Sequence, residues 1–186
     1  MLETTNRDGP LQVEWRQGLS VLNLRGSPDD LNFVVQAGLA LGVELPLAPC
    51  TTQRSRSGVV EHVVWAGPDD WFVIAAAGQA LPLGDALRRA LLGLHCAVTE
   101  VSSGYHVLRL GGKPVVDVLA QGCPLDLHPR AFGVGRSAGS HFFKASIWLW
   151  QTRADPQFEL LVRRSFKGYV QLMLQRCTAE CGSVDA

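Results

Sequence analysis

A thiol, a carboxylate and an imidazole fall within six consecutive positions at Cys123, Asp126 and His128. Together these types can make a nucleophile, its base and the group that orients the base. A cysteine attacks as its thiolate, so it needs a base within hydrogen-bond reach and a cation or helix amino terminus to lower its pKa. The surrounding sequence, Gln121-Gly122-Cys123-Pro124-Leu125-Asp126-Leu127-His128-Pro129-Arg130-Ala131-Phe132, offers the reverse. Gly122 and Pro124 put Cys123 at the carboxyl end of a helix, where the dipole disfavours a negative sulfur, so it reads as a small buried hydrophobe. Asp126 and His128 alternate with Leu125 and Leu127, which predicts an extended segment with polar groups on one side and leucine knobs on the other. With Pro124 and Pro129 stiffening it, the stretch from Cys123 through Arg130 to Phe132 is suited to docking, because little entropy is lost when it meets another surface. A loop packed on its own sheet fits the composition equally well.

Other constellations carry less. Cys177 and Cys181 are a close pair without the second pair of ligands that a structural zinc site needs, and predict two thiols at a frayed helix end. The glycines form neither Gly-x-Gly-x-x-Gly nor a phosphate loop. Ser103 and His106 lack the Gly-x-Ser-x-Gly elbow of a hydrolase. Arg163-Arg164 either clamps a carboxylate or faces water, and water is preferred. Trp15, Trp65, Trp71, Trp148 and Trp150 lie mostly in predicted strands, where filling a core is their usual role.

The elements that position these residues repeat. Val21-Leu22-Asn23-Leu24-Arg25-Gly26-Ser27-Pro28 returns as Val107-Leu108-Arg109-Leu110-Gly111-Gly112-Lys113-Pro114, identical at five of eight positions, the mark of an internal duplication. Each copy predicts a strand that breaks at glycine before a helix, over Asp30 to Leu41 and Val115 to Gln121. A hairpin follows, Val59–Trp65 with Trp71–Ala75 in one copy and Phe142–Trp150 with Phe158–Val162 in the other. Helices over Pro82–Leu94 and Ser165–Arg176 close the copies, and Ala97–Val101 adds a strand between them. The class is α+β: two strand-helix-strand-strand-helix halves forming one pseudo-symmetric domain. The expected division is a flexible amino terminus over 1–14, a domain over 15–176 with halves of about 15–96 and 97–176, and a tail over 177–186. The long connections Glu44–Gly58 and Cys123–Ser140 fall at equivalent places and predict where a partner surface lies.

At 186 residues and 47% hydrophobic, the chain can bury a substantial core. Seventeen basic residues balance seventeen acidic ones, so no field gathers phosphates, and nucleic acid is not expected as a partner. No apolar run reaches the roughly 20 residues of a membrane-spanning helix. The polar amino terminus and the odd count of five cysteines predict a cytoplasmic protein with reduced thiols.

The segment from Gln121 to Phe132, with Gly67-Pro68-Asp69-Asp70-Trp71, Val107 to Lys113 and Phe158-Glu159-Leu160-Leu161-Val162-Arg163-Arg164-Ser165-Phe166, resembles the γ subunit of heterotetrameric sarcosine oxidase. The Cys-Pro-Leu-Asp-Leu-His-Pro string is its most specific element, and the likeness spans about Trp15 to Arg176. The resemblance implies a noncatalytic subunit with a fold similar to the folate-binding domain of aminomethyltransferases, and no cofactor or metal of its own. It implies α, β and δ partner subunits that hold FAD, FMN, NAD, tetrahydrofolate and zinc. The assembly would demethylate sarcosine to glycine oxidatively, passing the one-carbon unit to tetrahydrofolate. The interface is then expected at Cys123, Pro124, Leu125, Asp126, Leu127, His128, Pro129, Arg130 and Phe132. Two alternatives stand beside it: a γ-type subunit of a related N-methyl amine or secondary amino acid oxidase or dehydrogenase, and a stand-alone folate-binding one-carbon protein using carboxylates such as Glu100 and Asp117.

Overall fold

A computed structural model describes residues 10–55 and 58–181, the side chains of 180 and 181 aside. Its strands are β1 (Gln12–Arg16), β2 (Ser20–Gly26), β3 (Thr52–Arg54), β4 (Val60–Gly67), β5 (Asp70–Ala75), β6 (Cys96–Glu100), β7 (Tyr105–Gly111), β8 (Ser137–Phe142), β9 (Ala145–Arg153) and β10 (Gln157–Arg163). The helices are α1 (Leu31–Leu41), α2 (Ala80–Ala90), α3 (Val115–Ala120) and α4 (Lys167–Cys181). They form two compact units, one over Gln17–Ser103 and the other from the chain on either side, up to Arg16 and from Gly104 onward.

Each unit is a five-stranded antiparallel sheet with two helices on one face, confirming the α+β class. The sheet orders are β3-β4-β5-β2-β6 and β8-β9-β10-β7-β1, so the duplication read from the sequence holds strand for strand. One feature departs from consecutive halves. β1 directly precedes β2 in the chain yet pairs with β7, while β6 directly precedes β7 yet pairs with β2. Each sheet thus takes one edge strand from the segment leading into the other.

Alternation builds the cores. In the first unit Leu22, Leu24, Val63, Trp71 and Val73 point to the face covered by Phe33, Ala37 and Leu41 of α1 and by Leu83 and Leu87 of α2. Asp30 caps α1, accepting from the N–H groups of Asn32 and Phe33 at 2.9 and 3.2 Å, and Gly42 ends it in the left-handed conformation. In the second unit Leu108, Leu110, Ile147, Leu149, Phe158, Leu160 and Val162 meet Val115, Val118 and Leu119 of α3 and Val170, Met173 and Leu174 of α4.

Several expectations change in detail. Gln12 to Glu14, assigned from sequence to a flexible amino terminus, belong to β1, and Leu11 and Trp15 beside them are buried. Both long connections carry an edge strand, β3 and β8, that the sequence does not reveal. Thr52-Gln53-Arg54 is short and polar, and β8 mixes serine and glycine at a half-exposed edge, so neither shows a strand composition. Phe142 ends β8 instead of starting β9, and Phe143, with φ of 50°, turns the chain between them. The last helix begins at Lys167 after a 3₁₀ turn over Arg164–Phe166 and runs to Cys181. Cys177 therefore lies in the core beneath α4, not at a frayed end.

Candidate functional site

The segment that invited a catalytic reading leaves α3 and wraps onto its own unit. The Leu119 carbonyl accepts from the N–H groups of Gly122 and Cys123 at 3.1 and 2.8 Å, which puts Cys123 at the helix carboxyl end as its neighbours dictate. Cys123 is 4% exposed, and its Sγ lies 3.7 Å from Ser140 Oγ on β8. It is surrounded by core side chains and acts as a small hydrophobe.

Asp126 and His128 spend their polar atoms on the loop. Asp126 Oδ1 accepts the His128 N–H at 3.0 Å, and His128 Nδ1 accepts the Arg130 N–H at 3.2 Å. The His128 carbonyl takes the N–H groups of Ala131 and Phe132 at 2.8 and 2.9 Å, and the Arg130 guanidinium lies 3.7 Å from the Asp126 carboxylate. Side chains that bond the backbone two residues on make a turn self-supporting. The leucines do not stand outward as knobs. Leu127 is buried, Leu125 is half-buried against the same core, and Phe132 packs beside Phe158 with ring centres 6.3 Å apart. Inward anchoring is favoured because the loop runs over the apolar sheet face that α3, a helix of only six residues, leaves uncovered. What remains exposed is Pro124, Asp126, His128, Pro129, Arg130 and Ala131.

The other candidates sit apart from this loop. Ser103 lies in a 3₁₀ turn and His106 in β7. The His106 ring meets Trp15 edge-on at 6.1 Å, and partial burial, reinforced by Lys167 and Arg164, holds its pKa below the usual 6.5. Arg163 stacks over the Tyr105 ring at 5.4 Å and is solvent-exposed. Glu100 accepts the Ser102 N–H at 2.9 Å, and Asp117 is exposed on α3. Trp15, Trp71 and Trp150 are buried, Trp71 donating to the Pro46 carbonyl at 2.8 Å. Among the described residues, no cluster of three or more His, Cys, Asp or Glu side chains is placed to hold a metal.

Sequence reasoning missed a charged ladder. Glu14 on β1, Arg109 on β7 and Glu159 on β10 occupy one row across three strands. Glu159 is fully buried and accepts from Arg109 at 2.7 Å and from Arg16 at 3.2 Å, while Arg109 also reaches Glu14 at 3.4 Å. Its only trace in the sequence is a lone acid inside Phe158–Val162, since the partners become neighbours only through strand order.

The family model described as "Sarcosine oxidase, gamma subunit family" matches residues 25–180. The chain belongs to the sarcosine oxidase gamma subunit family. A sarcosine oxidase subunit gamma from Corynebacterium sp. (strain U-96) is 35% identical over 78% of this chain and 68% of its own. Another, from Corynebacterium sp. (strain P-1), is 33% identical over 85% of this chain and 75% of its own. Among solved structures, heterotetrameric sarcosine oxidase from Corynebacterium sp. U-96 contains a chain that superimposes with a TM-score of 0.83 at 30% identity, covering 91% of this chain and 84% of that one. Aminomethyltransferase T from Bartonella henselae aligns over 88% of this chain and 45% of its own with a TM-score of 0.64 at 15% identity, a likeness of fold alone. Gamma-subunit membership and the expected aminomethyltransferase-like fold thus agree.

Proposed function

We propose that this chain is the noncatalytic γ subunit of a heterotetrameric, flavin-dependent sarcosine oxidase. The complex oxidatively demethylates sarcosine to glycine and passes the one-carbon unit to tetrahydrofolate. The observation that carries this reading is the superposition on a chain of heterotetrameric sarcosine oxidase over nearly the full length of both. FAD, FMN, NAD, tetrahydrofolate and zinc are assigned to the α, β and δ partners. The γ chain itself contributes surface.

The site geometry supports that division of labour. Cys123 faces the core, and Asp126 Oδ1 and His128 Nδ1 accept from backbone N–H groups of the loop. The same bonds pre-organise the loop, which lowers the entropy cost of docking. Pro124, Asp126, His128, Pro129 and Arg130 with the half-buried Leu125 form the docking edge, held from within by Cys123, Leu127 and Phe132. The reading includes a cytoplasmic location for the assembly. No helix of the described residues is long and apolar enough to cross a membrane.

Co-expression of a tagged copy with the flavoprotein subunits tests the reading. The subunits should co-purify as one yellow complex that oxidises sarcosine. Retention of the tagged chain alone, with sarcosine oxidation wholly in the unbound fraction, contradicts it. Calorimetry of the isolated chain with tetrahydrofolate should show no heat of binding, whereas saturable heat favours a stand-alone folate protein.

A further inference from the structure

Helix α1 carries two apolar faces. Phe33, Ala37 and Leu41 recur every four residues and are buried against the sheet. Leu31, Val35 and Leu39 recur at the same spacing two residues out of step, which places them about 200° around the helix. They are 75%, 53% and 73% exposed. Between the two rows lie only two polar side chains, Asn32, which is exposed, and Gln36, which is half-buried; clustered exposed apolar side chains such as the outer row mark interaction sites.

The duplication supplies an internal control. The counterpart of α1 in the other unit, α3, exposes Asp117, while α2 exposes Asp85, Arg88 and Arg89 beside a single leucine, Leu81, and α4 exposes Gln175 and Arg176 beside a single leucine, Leu172. Among the described helices, α1 alone has no charged residue within its span. Its outer stripe is therefore not a by-product of the repeated architecture.

Charge narrows what covers it. Asp29 and Asp30 stand at the amino end of α1 and Glu44 just past its carboxyl end. Two copies meeting through this stripe would set acid against acid whether the helices ran parallel or antiparallel, and such juxtapositions are costly. A partner with an apolar ridge and basic residues at its margins meets no such penalty. A row at four-residue spacing is itself the ridge that seats in the groove of another helix.

We infer that Leu31, Val35 and Leu39 form a second docking face of this γ subunit, occupied by an apolar, basic-rimmed helix of a neighbouring subunit of the same assembly. The inference rests on the subunit reading above and adds a surface distinct from the Pro124–Arg130 loop.

The test compares the full wild-type chain with Leu31→Lys, Val35→Lys and Leu39→Lys, each co-expressed with the remaining subunits of the complex. Lysine is a good helix former, and circular dichroism with a thermal midpoint on each purified variant confirms folding. Each substitution should leave both signals unchanged and weaken co-purification by about tenfold or more, as loss of a central apolar anchor does. Wild type and folded variants that assemble equally well overturn this inference and leave the subunit reading standing. A wild-type chain that fails to assemble overturns both. A wild-type chain that sediments alone as a dimer, with Leu39→Lys monomeric, overturns the choice of partner.

Discussion

The ring of Phe143 fills the space that a side chain at Gly122 would occupy, and the Phe143 N–H donates to the Gly122 carbonyl at 2.7 Å. This pair ties the segment leaving α3 to the β8–β9 turn, and so sets where the Cys123–Phe132 loop begins. A methyl group at Gly122 would overlap the ring. Gly122→Ala should therefore cost about 1–3 kcal/mol, the usual penalty of overpacking. Chemical denaturation reads this directly, and a change under 0.5 kcal/mol would show that the contact yields freely.

Glu159 should be among the most sensitive charged positions. Removing one partner of a buried ion pair costs about 3–5 kcal/mol because the opposite charge is stranded. Here Arg109 retains Glu14 and is partly solvated, so Glu159→Ala is expected near the lower end of that range. Glu14→Ala, at the half-buried, partly solvated end of the ladder, should cost under about 1 kcal/mol. Equal losses at the two positions would contradict the ranking.

Acidification should act through His106. Its folded pKa is lowered below 6.5 by burial first and by Lys167 and Arg164 second. The folded state thus binds the proton less readily than the unfolded chain, and its contribution to stability is present above the unfolded value and lost as pH falls through 6.5 toward the folded value. The thermal midpoint of wild type should fall more steeply between pH 7 and pH 5 than that of His106→Asn. Parallel curves would remove His106 as the cause.

Cys123→Ser separates packing from chemistry. A hydroxyl beside Ser140 in an apolar site is expected to cost about 1–2 kcal/mol, with sarcosine turnover by the assembly unchanged. Loss of turnover in a stable, fully assembled complex would restore the thiol to a chemical role.

Loop geometry should matter to assembly. Asp126→Ala removes the acceptor for the His128 N–H and the neighbour of Arg130. Weaker association by about fivefold is expected from the lost pre-organisation, read by surface plasmon resonance against the partner subunits. Unchanged binding would exclude the loop from the interface.

The duplicated strands, the two hairpins and the extent of α1 were legible because each is local. Alternating Leu22 and Leu24 and the turn Gly67-Pro68-Asp69-Asp70 act within a few residues. What escaped is set by strand order. The exchange of β1 and β6, the Glu14–Arg109–Glu159 row and the short polar strand β3 exist only once distant segments pair. In the site, Cys123 as a core residue at a helix end was legible from Gly122 and Pro124. The alternation of Leu125 and Leu127 fitted an outward or an inward face equally, and the core left uncovered by the short α3 decides it.

Native mass spectrometry of the intact sarcosine-oxidising complex, isolated through its flavoprotein subunit, tests the central claim most directly. The account predicts one copy of this chain in each complex and no flavin on any copy released from it. A fully active complex whose mass has no room for this chain, or a released copy that carries flavin, would contradict the account.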